Sequence, residues 1–482
     1  MVGITSCGTH IPWYRISHKT ISSAMGWLNP ANPPGEKAVA NYDEDSITMA
    51  VAAGMDCLNN LDREKIDGLY FATNTSPYAE RQGAGIIATA LDLSSDIRIA
   101  DFAHSTKAGT TALVSACEAV KAGAVKNVML CASDCRLGKP GSSQEHVYGD
   151  GGAALLMGDS GVIASLEGYH SVSYDFVGHW RADGEDFERS LEDRFVQDEG
   201  HTKFISQAVS GLLGKYQLSI KDLAKVIYPS PNARLHAAIG RRLGAEPQQI
   251  QDPMLASVGD TGAAHPLMML VAALEEAKPG DKLLVASYGS GSDALFFQVT
   301  KEIEKIKDRR GIKANLALRK ELSPYEKYTA FRNGLPVEKG IRGEEYEGYF
   351  TPLTRQWRDR RAVLALFGSR CKRCGTPQYP PQRICVKPGC GAVDEMEPYP
   401  FSDKKGRVFT YTADHLAYSP SPPQIYGMIN FDGGGRYWFD FTDCNADSLK
   451  VGMLVEMSFR RKYVDKARGI HTYFWKAIPA RV

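Results

Sequence analysis

Lys282–Val299 reads KLLVASYGSGSDALFFQV: two apolar runs, Lys282–Ala286 and Asp293–Val299, flank the stretch Ser-Tyr-Gly-Ser-Gly-Ser. Apolar runs on either side of a glycine cluster predict two strands joined by a tight turn, and we place that turn at a site. Upstream the pattern alternates between the two periods. Gly68–Ala72 reads as strand, Gly83–Leu93 and Ala108–Ala122 as helices, and Asn127–Ala132 as strand again. Strands alternating with helices from residue 1 to about residue 300 predict an α/β domain.

Beyond it, residues 301–350 are charged and helical in character (KEIEKIKDRR, then RKELSPYEKYTAFRNG), the pattern of a terminal helix and a connector with a solvated face. Past residue 370 the composition turns to Cys, Pro and Gly, and then to short alternating strands at Arg407–Thr412, Ile425–Phe431 and Arg436–Phe441. That spacing suits a small β-barrel. No internal repeat and no low-complexity tract is visible.

The 482 residues are enough for two or more domains with full cores. Lys plus Arg total 57 against 56 Asp plus Glu, so there is no global basic field to hold a nucleic acid backbone. The longest apolar window, Gly262–Leu274, contains His265 and falls short of a membrane span, so no membrane association is expected. The start, MVGITSC, lacks a basic stretch followed by an apolar run and a small-residue cleavage site, which makes the cytoplasm the expected location. Six of the ten Cys are scattered, unlike a disulfide framework, and are read as reduced thiols.

The other four form a pattern. Cys371-x-x-Cys374, ten residues, then Cys385-x4-Cys390 places two pairs of thiols on turns, with Gly375, Pro388 and Gly389 supplying the bends. Cys371, Cys374, Cys385 and Cys390 are therefore expected to hold a tetrahedral zinc; four merely buried thiols are the competing reading. Four protein ligands leave no open position, so the zinc is structural rather than catalytic.

Several motifs together resemble a known family. Gly3-Ile4 with Ile11-Pro12 and Arg15-Ile16, Gly35-Glu36-Lys37 with Asp43-Glu44-Asp45, Lys107-Ala108-Gly109-Thr110, Ser133-Asp134 and Gly151-Gly152-Ala153-Ala154 are similar to archaeal and bacterial 3-hydroxy-3-methylglutaryl-CoA synthase. Pro231-Asn232, Gly259-Asp260-Thr261 and Ser287-Tyr288-Gly289-Ser290-Gly291 extend the likeness to about residue 340. The resemblance implies the thiolase fold, made of duplicated layered α/β halves, with a coenzyme A thioester as substrate and at least a homodimer. Residues 345–482 resemble the zinc ribbon plus OB-fold domain that accompanies thiolases and these synthases, here fused into one chain. The expected domains are thus 1–340, synthase-like thiolase fold; 341–400, helical connector and zinc ribbon; and 401–482, OB-fold. Other OB-folds bind nucleic acid, but the resemblance implies that this one assists with acyl-CoA, and no nucleic acid partner is expected.

At the reacting positions the chain departs from the family. The resemblance places the family's acid/base Glu at Asn74, its acyl-carrying Cys at Thr106 and its polarising His at Pro229. A Cys thiolate accepts an acyl group near neutral pH, whereas a Thr hydroxyl needs a neighbouring base that Asn74 cannot be. What remains of the family's scaffold is the oxyanion-binding backbone around Thr106 and around Gly289 and Ser290. Such holes stabilise an enolate without a covalent intermediate. The expected chemistry is aldol or retro-aldol, for example cleavage of a 3-hydroxyacyl-CoA to a ketone and a shorter acyl-CoA. A steroid side-chain aldolase that pairs a thiolase-fold protein with the same kind of OB-fold domain supplies an analogy.

That reaction needs an acid/base. His265 in Gly262-Ala263-Ala264-His265-Pro266 and Asp260, where the family usually has Asn, are the candidates, with packing and helix capping as their competing roles. Asn232 matches a family Asn able to hold a thioester carbonyl. Tyr78 is a possible phenolic acid/base, while His104 and Lys107 flank the nucleophile position. His179, His201, His236, Asp134 and Cys131 read as surface or packing residues. Two other readings stay open: a non-catalytic subunit partnered with an active thiolase, and acyl transfer by Cys131 or Cys135. The loops Ser17–Pro34 and Ser171–Asp198, which shape any acyl pocket, carry Trp27, Trp180, Phe187 and Phe195.

Overall fold

The computed structural model describes residues 1–59, 61–306, 309–347 and 352–480. Residues 348–351 of the expected connector and 481–482 of the expected OB-fold domain lie outside the described residues. The chain divides into two units, Met1–Ala40 with Asp45–Gly85 and Leu93–Arg332, and Asn41–Glu44 with Ile86–Asp92 and Asn333–Val482.

In the first unit nine strands share one sheet: β1 (Gly3–His10), β2 (Gly68–Ala72), β3 (Arg98–Phe102), β4 (Val128–Asp134), β5 (Gly151–Gly158), β6 (Ala164–Ser173), β7 (Lys225–Ile227), β8 (Lys282–Ala286) and β9 (Gly291–Val299), in the order β7-β8-β9-β6-β1-β5-β4-β2-β3. Outward from the β1–β6 pair, one side runs β5, β4, β2 and the other β9, β8, β7, and on both sides the steps are antiparallel, antiparallel, parallel. The sheet is thus built twice over, a duplication that the sequence does not display. Every residue of β2, β4 and β5 is buried, which is why these segments read as continuous apolar runs rather than alternating ones.

Three buried helices position the site. α1 (Ser46–Leu58) starts from an Asp45 cap that exchanges hydrogen bonds with Thr48. α2 (Ala108–Lys121) and α3 (His265–Glu276) bury their apolar residues in the same core, and α3 begins with Pro266 in its first turn, where a missing N–H costs nothing. A Cβ on Gly109 would lie 2.2 Å from the Ala263 carbonyl, so only glycine lets α2 approach the turn ahead of α3. The charged stretch after β9 is helical as its composition suggests, with a turn at Lys301–Ile306 and helices at Gly311–Ala317, Tyr325–Phe331 and Gly340–Glu347.

In the second unit Phe367–Cys371 pairs antiparallel with both Pro377–Gln378 and Met396–Pro400 to form a small ribbon. Five further strands, β10 (Gly406–Asp414), β11 (Gln424–Phe431), β12 (Arg436–Asp440), β13 (Leu454–Asp465) and β14 (Ile470–Pro479), make a sheet in the order β12-β11-β10-β13-β14. Trp475, Phe459, Tyr473 and Phe439 fill its interior, and the Trp475 indole N–H finds the Leu364 carbonyl at 2.8 Å. Among the described residues no helix is long and apolar enough to cross a membrane.

Asp134 closes β4. Its Oδ1 accepts from the Thr73 hydroxyl at 2.9 Å, the Asn74 N–H at 2.6 Å and the Thr75 hydroxyl at 3.0 Å, and its Oδ2 from the Ala263 N–H at 2.8 Å. Asp134→Ala strands these buried donors and is expected to lower unfolding free energy by about 3 kcal/mol. The measurement is the urea midpoint at constant m value, and an unmoved midpoint would show the network to be dispensable.

Candidate functional site

The turn between β8 and β9 meets the N-terminus of α2 in the first unit. The Thr106 hydroxyl donates to the Tyr288 carbonyl at 2.6 Å, and the Ser290 N–H donates to Ser105 Oγ at 3.2 Å. The turn is anchored from below by Asp293, which pairs with Lys107 Nζ at 3.0 Å and accepts from the Thr110 and Thr111 hydroxyls at 2.8 and 2.9 Å. Beside it opens a cavity of ≈ 560 Å³, the size range of small-molecule sites, whose walls include Thr106, Arg136, Tyr148, His179, His201, Asn232, Asp260 and Tyr288.

The charge on that wall is organised by Arg136. One guanidinium nitrogen lies 2.7 Å from Asp260 Oδ2 and another 3.4 Å from Glu188 Oε2, and the guanidinium plane sits 4.0 Å over the Tyr148 ring. Asp260 also accepts from the Gly262 N–H at 2.9 Å. Burial by itself would raise the Asp260 carboxyl, but Arg136 beside it wins and holds it well below the usual carboxylate range. Glu188 reaches His179 as well, with Oε1 3.5 Å from Nε2.

His201 stands next to this pair on a π-helical turn, Val196–Thr202, a widened geometry that frequently marks functional positions. Its ring stacks on Tyr288 with centroids 3.6 Å apart. Burial, with His179 and Arg136 adding to it and Asp260 opposing, pushes the His201 imidazole down to about 3, so the ring is neutral at ordinary pH. Burial lowers His179 too; Glu188 pulls it back up, and Arg136 and Asp260 act in opposite senses.

Of the residues singled out in the sequence, Thr106, Asn232 and Asp260 come together on the cavity. Asn232 caps the helix Ala233–Leu243, with Oδ1 accepting from the Leu235 N–H at 2.8 Å, which leaves its amide N–H₂ as the end available to a ligand. His265 is wholly buried and stands off the cavity lining, its Nδ1 accepting from the Thr261 N–H at 3.4 Å, and burial lowers its imidazole. Asn74 is spent on structure: its N–H and side-chain amide both donate to Asp134, and the amide also donates to the Ser105 carbonyl at 3.2 Å. Tyr78 stands outside the cavity lining with its hydroxyl accepting from Arg81 at 2.8 Å. The Gly289 N–H donates to the Gly291 carbonyl at 3.0 Å, so it and the Ser290 N–H already have partners within the protein. Cys131 is fully buried in β4 and burial pushes its thiol and that of Cys135 far up, the reverse of an activated nucleophile.

Arg136, Glu188, His179 and His201 escape a motif-based reading, and Tyr288, although inside the matched stretch Ser287–Gly291, carries no role there. Arg136 lies two residues beyond the matched Ser133-Asp134, and that neighbourhood is the available signal. His179 and His201 have no motif, only the shared dipeptide Gly-His.

In the second unit the Sγ atoms of Cys371, Cys374, Cys385 and Cys390 all lie within 4.8 Å of one another, with Cys374–Cys385 at 3.5 Å and Cys371–Cys390 at 3.8 Å. A tetrahedron of Zn–S bonds near 2.3 Å requires S–S separations of about 3.8 Å, and the four thiols lie within about 1 Å of that arrangement, so the donor set fits zinc.

The chain matches three family models: the C-terminal model of 3-oxoacyl-[acyl-carrier-protein] synthase III over residues 213–295, the rubredoxin-like zinc ribbon domain of ChsH2 over 358–397, and the C-terminal OB-fold domain of ChsH2 over 399–460. It is 33% identical over 317 residues to a hydroxymethylglutaryl-CoA synthase of Methanopyrus kandleri, covering 64% of this chain and 90% of that one. With the same enzyme of Methanocaldococcus jannaschii it shares 31% over 346 residues, covering 70% of this chain and all of the relative. Among solved structures, HMG-CoA synthase complexed with CoA superposes with a TM-score of 0.62 at 19% identity, over 71% of this chain and 92% of that one. The 3-oxoacyl-(acyl carrier protein) synthase III of Pseudomonas aeruginosa superposes with a TM-score of 0.57 at 18% identity, over 62% and 98%. The fold of the first unit is therefore the thiolase fold, followed by a zinc ribbon and an OB-fold.

Because four thiols converge on one point, Cys374→Ser is expected to lose zinc and to melt residues 345–482 at a lower temperature, by metal analysis and calorimetry on the full chain. A metal-free variant with an unchanged second unit would contradict a structural role.

Proposed function

Because the chain belongs to the hydroxymethylglutaryl-CoA synthase family, fused to a zinc ribbon and an OB-fold, we propose that it binds coenzyme A thioesters and makes or breaks a carbon–carbon bond beside the thioester without forming an acyl-enzyme. Acyl-CoA condensation is the coarse reading that the family supports. The finer one, aldol or retro-aldol chemistry on a 3-hydroxyacyl-CoA, rests on a single observation: where the resemblance puts the acyl-carrying Cys there is Thr106, its proton committed to the Tyr288 carbonyl at 2.6 Å. Among the described residues no imidazole or carboxylate is hydrogen-bonded to that hydroxyl. A hydroxyl so held is a poor nucleophile.

The aldol half of the chemistry needs neither thiolate nor acyl transfer. In the cleavage direction a base removes the proton from the 3-hydroxyl, the C2–C3 bond breaks as the C3–O bond becomes a carbonyl, and the pair left on C2 is delocalised into the thioester as an enolate. The Asn232 amide, on the cavity wall with its oxygen fixed by Leu235, is placed to donate to that thioester oxygen, a stabilisation realised most fully when the oxygen carries charge. Proline at position 229 offers no side-chain donor, so in this reading the task falls to Asn232.

Intact-mass spectrometry of the purified chain with a panel of 3-hydroxyacyl-CoA and acyl-CoA thioesters tests the reading. Shorter acyl-CoA plus ketone, or the condensed product, with no mass added to the protein is the expected outcome. An acyl adduct on the protein would overturn the non-covalent reading and restore acyl transfer.

A further inference from the structure

A reaction of this kind needs a proton-transfer group at the cavity, and the candidates differ in what surrounds them. Asp260 is held ionised by Arg136 at 2.7 Å, which makes it a weak base. His265 lies off the cavity lining. His201 has no carboxylate hydrogen-bonded to it among the described residues and is held neutral by burial. Among the described residues the cavity is lined by four imidazoles, His18, His146, His179 and His201, and the one with an ion-pair partner is His179: Glu188, its side chain 9% exposed, lies 3.5 Å from Nε2. An ionised carboxylate only accepts, so the tautomer that suits this neighbour carries its proton on Nε2, toward Glu188, and its lone pair on Nδ1. Glu188 is itself fixed by Arg136 at 3.4 Å.

The local packing gathers both histidines around Tyr288. The rings of His179 and His201 lie 6.1 and 3.6 Å from the Tyr288 ring, and Tyr288 supplies the carbonyl that receives the Thr106 hydroxyl. Each histidine follows a glycine that touches the Tyr288 hydroxyl: a Cβ on Gly178 would lie 2.9 Å from it and one on Gly200 2.5 Å. Both backbone segments thus close on Tyr288 because neither carries a side chain there.

We propose that His179, oriented by Glu188, is the general base and acid of this site. The inference rests on the aldol reading above. In cleavage, Nδ1 takes the proton from the 3-hydroxyl as that O–H bond breaks; the oxygen's pair forms the C3 carbonyl, and the C2–C3 pair passes into the thioester enolate. The imidazolium then returns the same proton to C2, so the ring ends as it began and no other reactant is consumed. Glu188 is a positioning residue; at His179 its charge is opposed by Arg136 and reinforced by Asp260, and the neighbouring His201 is a neutral ring.

The test uses the full chain and a 3-hydroxyacyl-CoA that the wild type turns over. His179→Ala is expected to lower kcat by about 100-fold or more with KM little changed. Glu188→Gln removes a charge that raises the His179 pKa, so the acid limb of kcat/KM, where activity is lost as the base protonates, moves to lower pH. Carbon-13 histidine NMR of the two proteins reads the same shift without substrate, which keeps the dyad testable if His179→Ala fails to fold. Turnover of His179→Ala within about threefold of wild type, or an unmoved His179 titration in Glu188→Gln, overturns the proposal while leaving the aldol reading intact. A wild type that releases no product from any thioester sinks the aldol reading and the catalytic role with it.

Discussion

A single buried carboxylate, Asp134, holds the floor of the cavity in place. It is fully enclosed at the end of β4 and collects hydrogen bonds from three consecutive residues after β2 and from the Ala263 N–H ahead of α3. Those segments are far apart in sequence, and each carries donors that would otherwise be unsatisfied in a dry interior. Burial pushes the Asp134 carboxyl up, and the surrounding N–H groups with Arg136 oppose that cost. A Cβ on Gly262 would lie 2.3 Å from Asp134 Oδ2, so the turn that carries Asp260 is seated directly on this carboxylate. Asn74 belongs to the same network, its N–H and its side-chain amide both donating to this carboxylate.

The charges on the cavity wall form one connected cluster. Two carboxylates, Asp260 and Glu188, share one guanidinium, Arg136, and leave one net negative charge beside two imidazoles that burial keeps neutral. Such a field would raise the pKa of a thiol and disfavour a thiolate. The same field also raises the pKa of an imidazole, but there the charged form is the imidazolium, which the carboxylate behind it stabilises.

Much of the architecture was legible because buried strands announce themselves. β2 and β8 occupy the residues that their apolar runs indicate, and the four thiols of the ribbon follow from spacing alone. The duplication of the sheet was not legible, since it lives in strand order and direction rather than in repeated residues. At the site, Thr106, Asn232 and Asp260 were found through the motifs that anchor them. His265 sits in a matching motif too, but helix geometry turns Pro266 to the cavity and leaves His265 in the core beneath. His179, Glu188 and His201 come from the stretch after β6, whose short strands His179–Trp180 and Arg189–Ser190 and π-helical turn have no sequence signature.

The position of these groups bears on the chemistry we propose. Acyl transfer and aldol cleavage share one requirement, an oxygen of the thioester that gains negative charge, and differ in whether a protein atom must bond to carbon. A scaffold already shaped for the first needs only a proton acceptor on the cavity wall to perform the second. The loop after β6 is where such a group can be added at least cost, because it lines the cavity yet contributes none of the nine strands on which the core depends. Asp260 adds a second carboxylate to this wall, a buried charge that is tolerable because Arg136 is present at 2.7 Å to pair with it. Arg136 in turn is what holds Glu188 behind His179, so the residue that admits the new charge also fixes the imidazole that the charge serves.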